Sequence, residues 1–224
     1  MSIYIISDCH GNIEGLMRAL RAKKIVDRNG NRQLARKNKV FSIGDLANCV
    51  DDSKSGDKEC LDLVGNVIDG MVLGNHEMPY FDLDNTFGGF VPYESVAKRL
   101  NNLMENGLIH GCLLKNRTLI THAGISKSIL SYNMTVTEIA YSINEHFDAR
   151  NWNHAFFSSV GYARGGRNHV GGSLWCDFDR EFIPTKFPQI VGHTPKYVRM
   201  KGNALCIDVG AKDQETEPFI LEVS

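Results

Sequence analysis

Short apolar runs alternate with amphipathic stretches along most of this chain. Residues 3–6 form the first run and predict a buried strand. The next segment, 11–24, predicts a helix, because its apolar residues recur at i, i+3, i+4 and i+7. Those residues are Ile13, Leu16, Met17 and Leu20. This alternation of strand-like and helix-like segments predicts an α/β sheet protein.

Further apolar runs extend the same pattern toward the end of the chain. We expect them to form strands over 39–43, 70–73, 115–121, 189–191, 197–200, 204–209 and 219–223. A second helix is expected over 57–68. Thr135-Val136-Thr137-Glu138 fits a capping box that opens a third helix toward Phe147.

Two stretches carry no clear periodicity and are expected to be loops. Residues 50–58 are polar and charged, and residues 161–173 are rich in glycine and basic side chains. We expect the second of these loops to be flexible and to expose its backbone. A turn is predicted at Asn29-Gly30-Asn31, as part of a hairpin excursion.

Five of the apolar runs are followed by a carboxylate, amide or imidazole side chain, usually beside glycine. The segments are Asp8-Cys9-His10-Gly11, Gly44-Asp45-Leu46, Gly74-Asn75-His76-Glu77, His122-Ala123-Gly124 and Gly192-His193-Thr194. In open α/β sheets ligands bind beyond the carboxyl ends of the strands. These side chains are therefore expected to converge at one edge of the fold.

Such a convergence would bring together two aspartates, one asparagine and three histidines as oxygen and nitrogen ligands. This donor set suits Mn, Fe, Zn or Ni and disfavours Ca, which prefers oxygen alone. An aspartate whose two oxygens bind different ions can hold them ~3.5–4 Å apart and support a two-metal hydrolase. Asp45 is the best candidate for that bridge.

Composition and charge exclude several other classes of protein. The chain has 224 residues, is 42% hydrophobic and carries a formal net charge of -1, which argues against disorder. Near-neutrality gives no strong signal for nucleic acid or an anionic membrane. No apolar run approaches the ~20 residues that span a bilayer, and no signal peptide is recognised. The six cysteines form no C-x-x-C pair, so we expect free thiols and a cytoplasmic location.

The ordered motifs between residues 8 and 194 resemble those of the calcineurin-like metallophosphoesterases: D-x-H-G, G-D, G-N-H-E, H-A-G and G-H-T. The forms at 74–77 and 192–194 are most similar to one branch of the family. That branch holds the Ser/Thr protein phosphatases and the symmetrical diadenosine tetraphosphate hydrolases. Leu174-Trp175-Cys176-Asp177 is similar to a segment of the protein phosphatases, and 207–211 resembles the strand and turn after the branch's last histidine.

This resemblance implies an α/β fold, a four-layer αββα sandwich with two mixed β-sheets, in a single domain over 1–224. It implies a dinuclear metal site at the strand ends, holding two divalent ions, with Mn favoured and Fe, Zn or Ni as alternatives. One ion would be bound by Asp8, His10 and Asp45, and the other by Asp45, Asn75, His122 and His193. His76 would be the catalytic proton donor to the leaving oxygen, and a metal-bridging water would be the nucleophile.

The chain departs from the branch at several positions. The usual G-D-x-x-D-R-G reads Gly44-Asp45-Leu46-Ala47-Asn48-Cys49-Val50, so Asn48 replaces the acid that orients the catalytic histidine and Cys49 replaces an arginine. Leu73 stands where protein phosphatases often have arginine. Asp51 or Asp52 is a possible replacement for the acid, and Arg164 or Arg167 for one arginine. Asn48, Arg164 and Arg167 are therefore the candidate substrate-binding residues.

The predicted function is metal-dependent hydrolysis of phosphate esters. Because two arginines that would clamp a phosphomonoester dianion are missing, we expect phosphodiesterase activity on nucleotide-type or cyclic diesters beside monoesterase activity. The alternatives are a Ser/Thr-type protein phosphatase, a dinucleotide polyphosphate hydrolase, and a weakly active metal-containing module that binds phosphate. The expected partner is a phosphorylated small molecule or nucleotide, and a phosphoprotein is the other possibility.

Overall fold

The computed structural model describes residues 1–48, 56–85, 90–131, 133–211 and 215–223. These residues form ten strands: β1 (Ile3–Ile6), β2 (Lys39–Ser42), β3 (Gly70–Val72), β4 (Ile109–His110), β5 (Leu113–Lys115), β6 (Thr118–Ile120), β7 (Gln189–Val191), β8 (Arg199–Lys201), β9 (Ala204–Cys206) and β10 (Ile220–Val223). The helices are α1 (Ile13–Ala22), α2 (Asp57–Asp62), α3 (Glu94–Glu105), α4 (Val136–Asp148) and α5 (Ala155–Ser158). Short 3-10 helices cover Met78–Tyr80, Leu83–Asn85, Lys127–Ile129 and Tyr162–Arg164.

The strands form two five-stranded sheets, ordered β10-β1-β2-β3-β4 and β5-β6-β7-β9-β8. In the first sheet β1 to β4 are parallel and β10 is antiparallel to β1. In the second sheet β6, β7 and β9 are parallel, and β5 and β8 are antiparallel at the two edges. Both sheets are therefore mixed, and the parallel strands of each sheet end at a common edge.

The two sheets pack face to face through an aliphatic layer. Its buried residues are Ile3, Ile5, Ile43, Ile120, Ile190 and Ile207. On the outer face of the first sheet, Tyr4, Ile6 and Val40 belong to the same apolar cluster as residues of α1, α2 and α3. The second sheet is covered by α4 and by Phe178 and Phe182. The order helix, sheet, sheet, helix confirms the predicted four-layer sandwich.

Side-chain hydrogen bonds cap the first turns of α1 and α4. Thr135 and Glu138 form the expected capping box at the start of α4. Asn12 caps α1 by accepting the backbone N–H of Gly15, and its side-chain amide donates to Ala211 O and Thr216 O near the other end of the chain. This tie between distant segments holds the loop after β1 against the loop after β9.

Several predicted boundaries are wrong for local reasons. The helix expected over 57–68 ends at Asp62, because Gly65 adopts a positive φ and the chain turns there. The strand expected over 115–121 is a hairpin of β5 and β6, which turns at Asn116 and Arg117 with φ of 48° and 64°. Among the described residues, no helix combines the length and apolar character needed to cross a membrane.

Candidate functional site

The polar side chains that follow the strands meet at one edge of the fold. Asp8, His122 and His193 each lie two residues beyond the end of a strand, and Asp45 and Asn75 lie three residues beyond. Asp8, Asp45 and Asn75 come from the first sheet, whereas His122 and His193 come from the second. The backbone N–H of His193 donates to Asp8 Oδ2 at 2.8 Å, so the two sheets are joined at this edge.

Asp45 lies at the centre of the cluster. Its Oδ2 is 3.8 Å from His10 Nε2, 3.9 Å from His76 Nε2 and 3.5 Å from His122 Nε2. Two sets of ligand atoms lie within 4.8 Å of one another, one from His10, Asp45 and His76 and one from Asp45, His122 and His193. Because Asp45 belongs to both sets, it is the one residue of these sets able to bridge two ions.

The two histidines from the second sheet face each other, with 3.3 Å between His122 Nε2 and His193 Nδ1. His122 Nε2 also lies 2.8 Å from Asn75 Oδ1, while His122 Nδ1 lies 3.0 Å from Ile43 O. Since the oxygen of Ile43 only accepts, we place the proton on Nδ1. Nε2 and Asn75 Oδ1 then face the site as two acceptors, the arrangement expected of two ligands of one ion. Burial lowers the pKa of His122 to about 3, and burial and the neighbouring His122 lower that of His193. Both rings are therefore neutral near pH 7 and suited to bind a metal.

Three residues of the cluster have left-handed backbone conformations, which are uncommon for residues other than glycine. The φ angles are 47° for His10, 49° for Asp45 and 68° for His193. Each such residue costs about 1–3 kcal/mol and persists only where surrounding contacts enforce it. Among the described residues, three of the eight non-glycine residues with a positive φ lie in this cluster, which agrees with the tendency of such strain to gather at functional sites.

The glycines beside the polar residues are required by close packing of two loops. A Cβ atom added to Gly44 would lie 2.7 Å from Gly74 Cα, and one added to Gly74 would overlap Asp45 Oδ1. Gly44 also has a φ of 103°, which favours glycine. The loops after β2 and β3 can approach this closely only because both positions lack a side chain.

Glu77 holds the same two loops together, a role that the sequence analysis did not predict. Its buried carboxylate accepts the backbone N–H groups of Asp45 at 2.9 Å, Ala47 at 3.0 Å and Gly74 at 3.2 Å. Burial raises the pKa of Glu77 to about 7, although these hydrogen bonds act in the opposite direction. The acid at the end of the G-N-H-E motif was the available signal for this residue.

His76 is held by backbone groups rather than by a neighbouring acid. Its backbone N–H donates to Asp45 Oδ1 at 3.0 Å, and its ring Nδ1 donates to the carbonyl oxygen of Asn48. The backbone N–H of Asn48 in turn donates to Oδ1 of the buried Asp57 at 2.8 Å. Asn48 therefore acts on His76 through its main chain. Asp57 was not predicted, because it lies nine residues farther along the chain.

Of the remaining positions considered for the missing acid and arginines, the structure describes Leu73. Cys49, Asp51 and Asp52 lie outside the described residues. Leu73 is fully buried in the apolar core, so it does not line the site.

Arg164 lies beside the site but is already held by neighbouring groups. Its Nη2 donates to His193 O at 3.1 Å and Thr194 Oγ1 at 3.0 Å, and its Nε lies 3.2 Å from Asp177 Oδ2. Arg167 is exposed on the same loop. The structure thus brings Arg164, and not Arg167, into contact with the turn that carries His193.

The glycine-rich loop differs from the backbone-exposing loop expected from sequence. The buried carboxylate of Glu181 accepts the backbone N–H groups of Ala163 at 2.6 Å and Gly171 at 3.1 Å. Tyr162 N donates to Asn168 O at 2.8 Å and closes the loop on itself. These amides point inward, so they are not available to bind a phosphate.

Unsatisfied acidic and imidazole groups show that the site suits divalent cations. In the part of the chain that the structure describes, Asp8 Oδ1 and His193 Nε2 are buried without a hydrogen-bond partner. Burial, followed by repulsion from Asp208 and Asp45, raises the pKa of Asp8, and burial and Glu77 raise that of Asp45. Buried carboxylates that repel one another are stabilised by bound cations, and the oxygen and imidazole donors fit first-row metals.

Comparison with known proteins places this arrangement in a family. No curated protein sequence matches the chain. A cold-active protein-tyrosine phosphatase of the psychrophile Shewanella sp. is similar in structure, with a TM-score of 0.67, 17% identity and coverage of 100% of this chain and 75% of that chain. A protein serine/threonine phosphatase from Saccharomyces cerevisiae, with similarity to human phosphatase PP5, has a TM-score of 0.50, 14% identity and coverage of 100% and 80%. At these identities the two structures show a shared fold.

The family described as calcineurin-like phosphoesterase matches residues 1–197, most of the chain. The chain therefore belongs to the calcineurin-like phosphoesterase family and is a hydrolase that acts on phosphate esters.

Proposed function

We propose that this protein is a two-metal phosphoesterase that hydrolyses nucleotide-type or cyclic phosphodiesters beside phosphomonoesters. The observation that carries the two-metal proposal is the position of Asp45, whose carboxylate belongs to both sets of ligand atoms. Asp8, His10 and Asp45 would hold one ion, and Asp45, Asn75, His122 and His193 the other. We favour Mn for both positions, with Fe, Zn and Ni as the other ions that this donor set suits.

The bound ions would supply the positive charge that ionises water near neutral pH and stabilises a phosphate in the transition state. The protein's own task is to place the ligands and to deliver a proton. His76 Nδ1 is engaged by Asn48 O, so Nε2 is the ring atom directed toward Asp45 and the cluster. We assign to this Nε2 the proton that the leaving oxygen takes.

The preference for diesters rests on how the nearby arginines are used. A phosphomonoester is close to a dianion and gains most from bidentate arginine contacts, whereas a diester is a monoanion. Arg164 is engaged with His193 O, Thr194 Oγ1 and Asp177, and Arg167 is exposed. This engagement of Arg164 supports a site in which no arginine clamps a terminal phosphate.

The test of substrate class is the ratio of kcat/KM for bis(4-nitrophenyl) phosphate to that for 4-nitrophenyl phosphate, measured with Mn. We expect an appreciable ratio in the wild type that changes little in Arg167→Ala, the matched variant of the exposed arginine. A wild type that hydrolyses only monoesters, and loses that activity in Arg164→Lys, would show instead that Arg164 binds the terminal phosphate.

The test of the metal assignment is the metal content of the purified protein. Asp45→Asn removes the shared negative charge from between two cations, so we expect it to lose both ions and the activity. His193→Ala is expected to lose one ion, because its side chain is assigned to one position only. Two tightly bound ions and a normal rate in Asp45→Asn would contradict the bridge.

Two further parts of the proposal concern the chain as a whole. We propose that residues 1–224 form one domain, since β10 pairs with β1 and places residues 220–223 beside residues 3–6 in the same sheet. We also propose a cytoplasmic location, which the free, buried thiols of Cys9, Cys60, Cys112, Cys176 and Cys206 support.

A further inference from the structure

A buried acid outside the predicted ligand set lies at the same edge as the metal cluster. Asp208 follows β9 just as His193 follows β7, and the two strands are parallel with Val191 opposite Cys206. Residues 193 and 208 therefore lie at matching positions, each two residues beyond its paired strand end. The Asp208 side chain is only 1% exposed, so it points into the protein.

Among the described residues, one of the two carboxylate oxygens of Asp208 has a hydrogen-bond partner and the other has none. Oδ1 accepts the backbone N–H of Gly210 at 2.8 Å, which shapes the turn after β9. Oδ2 is buried and has no hydrogen-bond partner among the residues that the structure describes. The carboxylate lies against that of Asp8, whose Oδ1 is likewise buried and unpartnered. Two ionised carboxylates are both acceptors, so this contact needs either a shared proton or a cation between them.

The nearby arginines do not supply a hydrogen-bond donor for Asp208 Oδ2. The charges of Arg199 and Arg164 act on Asp208, but each arginine is paired with another acid. Arg199 Nε lies 2.8 Å from Asp179 Oδ1, and Arg164 Nε lies 3.2 Å from Asp177 Oδ2. A cation between the two carboxylates would satisfy Asp8 Oδ1 and Asp208 Oδ2, the two buried oxygens that have no hydrogen-bond partner among the described residues.

We propose that Asp208 is a further acidic residue of the metal centre and binds, with Asp8, the ion assigned to Asp8, His10 and Asp45. This inference rests on the two-metal function proposed above. It makes the two positions chemically unlike, because the first gains a third carboxylate while the second is built from one carboxylate, one amide and two imidazoles. Oxygen-rich positions favour Mn over Zn, and imidazole-rich positions suit Zn, so the preference for Mn over Zn should be stronger at the first position than at the second.

The experiment compares Mn binding by titration calorimetry in the metal-stripped wild type, Asp208→Asn and Asp208→Glu. Asparagine keeps the shape and an acceptor for Gly210 N, but it removes the charge. We expect Asp208→Asn to weaken one of the two Mn sites about 10–100-fold, as loss of a close supporting carboxylate does elsewhere, and Asp208→Glu to fall between it and the wild type.

The melting temperature of the same proteins is the second readout, independent of activity. Removing one of two facing carboxylates should raise the melting temperature of the metal-free protein and reduce the rise caused by Mn. Asp69→Asn is the matched control, since Asp69 is a partly buried acid at the opposite ends of the strands. It should lower the metal-free melting temperature and leave both Mn affinities unchanged.

Two results would overturn the proposal in different ways. Mn affinities in Asp208→Asn within twofold of the wild type at both sites, with a lower metal-free melting temperature, would make Asp208 only an acceptor for the turn. A stripped wild type that binds no Mn would overturn both this inference and the proposed two-metal function.

Discussion

At His76, a main-chain carbonyl takes the place of the acid that usually orients the histidine in the branch that the sequence resembles. The branch that the sequence resembles has an acid where this chain has Asn48, and the change predicts a poorly oriented histidine. In the structure, the Asn48 carbonyl oxygen accepts from His76 Nδ1, so the ring is oriented without a carboxylate. A carbonyl sets the tautomer as well as an acid does, but it adds no negative charge beside the ring.

Replacing His76 tests its role as proton donor. Positioned proton transfer is worth ~10²–10⁴-fold, and a good leaving group has little need of it. His76→Gln should therefore reduce kcat for alkyl phosphates by that factor and reduce kcat for nitrophenyl phosphates far less. Metal content is the control, because the ring of His76 lies close enough to Asp45 to bind an ion. Loss of an ion, or equal losses on both substrates, would contradict the assignment.

Asp57 is expected to act on His76 through Asn48. Asp57→Ala removes the acceptor for Asn48 N, which should loosen the carbonyl that holds the ring and cost about 1–3 kcal/mol of stability. We expect kcat to fall about 10-fold more for alkyl than for nitrophenyl phosphates, on the scale of a partial loss of proton transfer. Asp57→Asn keeps an acceptor and should restore most of the difference. Equal losses on the two substrates would mean that Asp57 has only a structural role.

At the scale of the strands, the two ends of the first sheet have different tasks. The carboxyl ends carry the candidate metal ligands, and the opposite ends carry a network around Asp69, which precedes β3. Asp69 accepts from Val40 N at 2.8 Å, Arg32 Nη2 at 2.7 Å and Lys39 Nζ at 2.9 Å. Burial alone would raise the pKa of Asp69, but the hydrogen bonds from Lys39, Val40 and Arg32 outweigh it and hold the pKa below its usual value.

This network predicts a pH-dependent contribution to stability without a direct effect on catalysis. A lowered pKa means that the ionised acid stabilises the folded state above pH ~4, and that this contribution is lost as the pH falls through the folded pKa. Asp69→Asn should lower the free energy of unfolding by about 1–3 kcal/mol at pH 7. Denaturant titrations should show the difference shrinking below pH ~4. A difference that stays constant with pH would contradict a role for the charge.

Elements whose signals are local were predictable from the sequence. The strand at 3–6, the helix face of α1 and the capping box at Thr135 depend on neighbouring residues, and all three are present. The cluster itself was also predictable, because each of its residues follows a strand in a recognisable motif. The supporting acids Asp57, Glu77 and Asp208 were not predicted as site residues. Their roles depend on contacts with other loops that no local pattern reports.

At the scale of the whole molecule, the cluster exists only where the two sheets meet. Asp8 and Asp45 lie on the first sheet and His122 and His193 on the second, with the aliphatic layer around Ile5 beneath them. Because each sheet supplies ligands to the same cluster, binding of ions and packing of the sheets should be one cooperative event.

Truncating the buried layer tests this cooperativity. Ile5 is fully buried in the apolar layer between the sheets, so Ile5→Ala should lower the free energy of unfolding by about 2–5 kcal/mol. Leu114→Ala in β5 is the control, since Leu114 is 40% exposed and its loss should cost little. Release of Mn and loss of tryptophan fluorescence should follow the same thermal transition in both variants. Release of metal well before unfolding would show that ion binding and packing of the sheets are separate events.

The left-handed backbone at His10, Asp45 and His193 limits how the metal preference can be redesigned. Glycine adopts that conformation easily but offers no ligand atom, and cysteine or glutamate would supply a ligand at the cost of further strain. Asn75 and His122 have no such restriction, since neither has a positive φ. Exchange of donor atoms to select a softer ion should therefore begin at these two positions, where the backbone conformation sets no such limit.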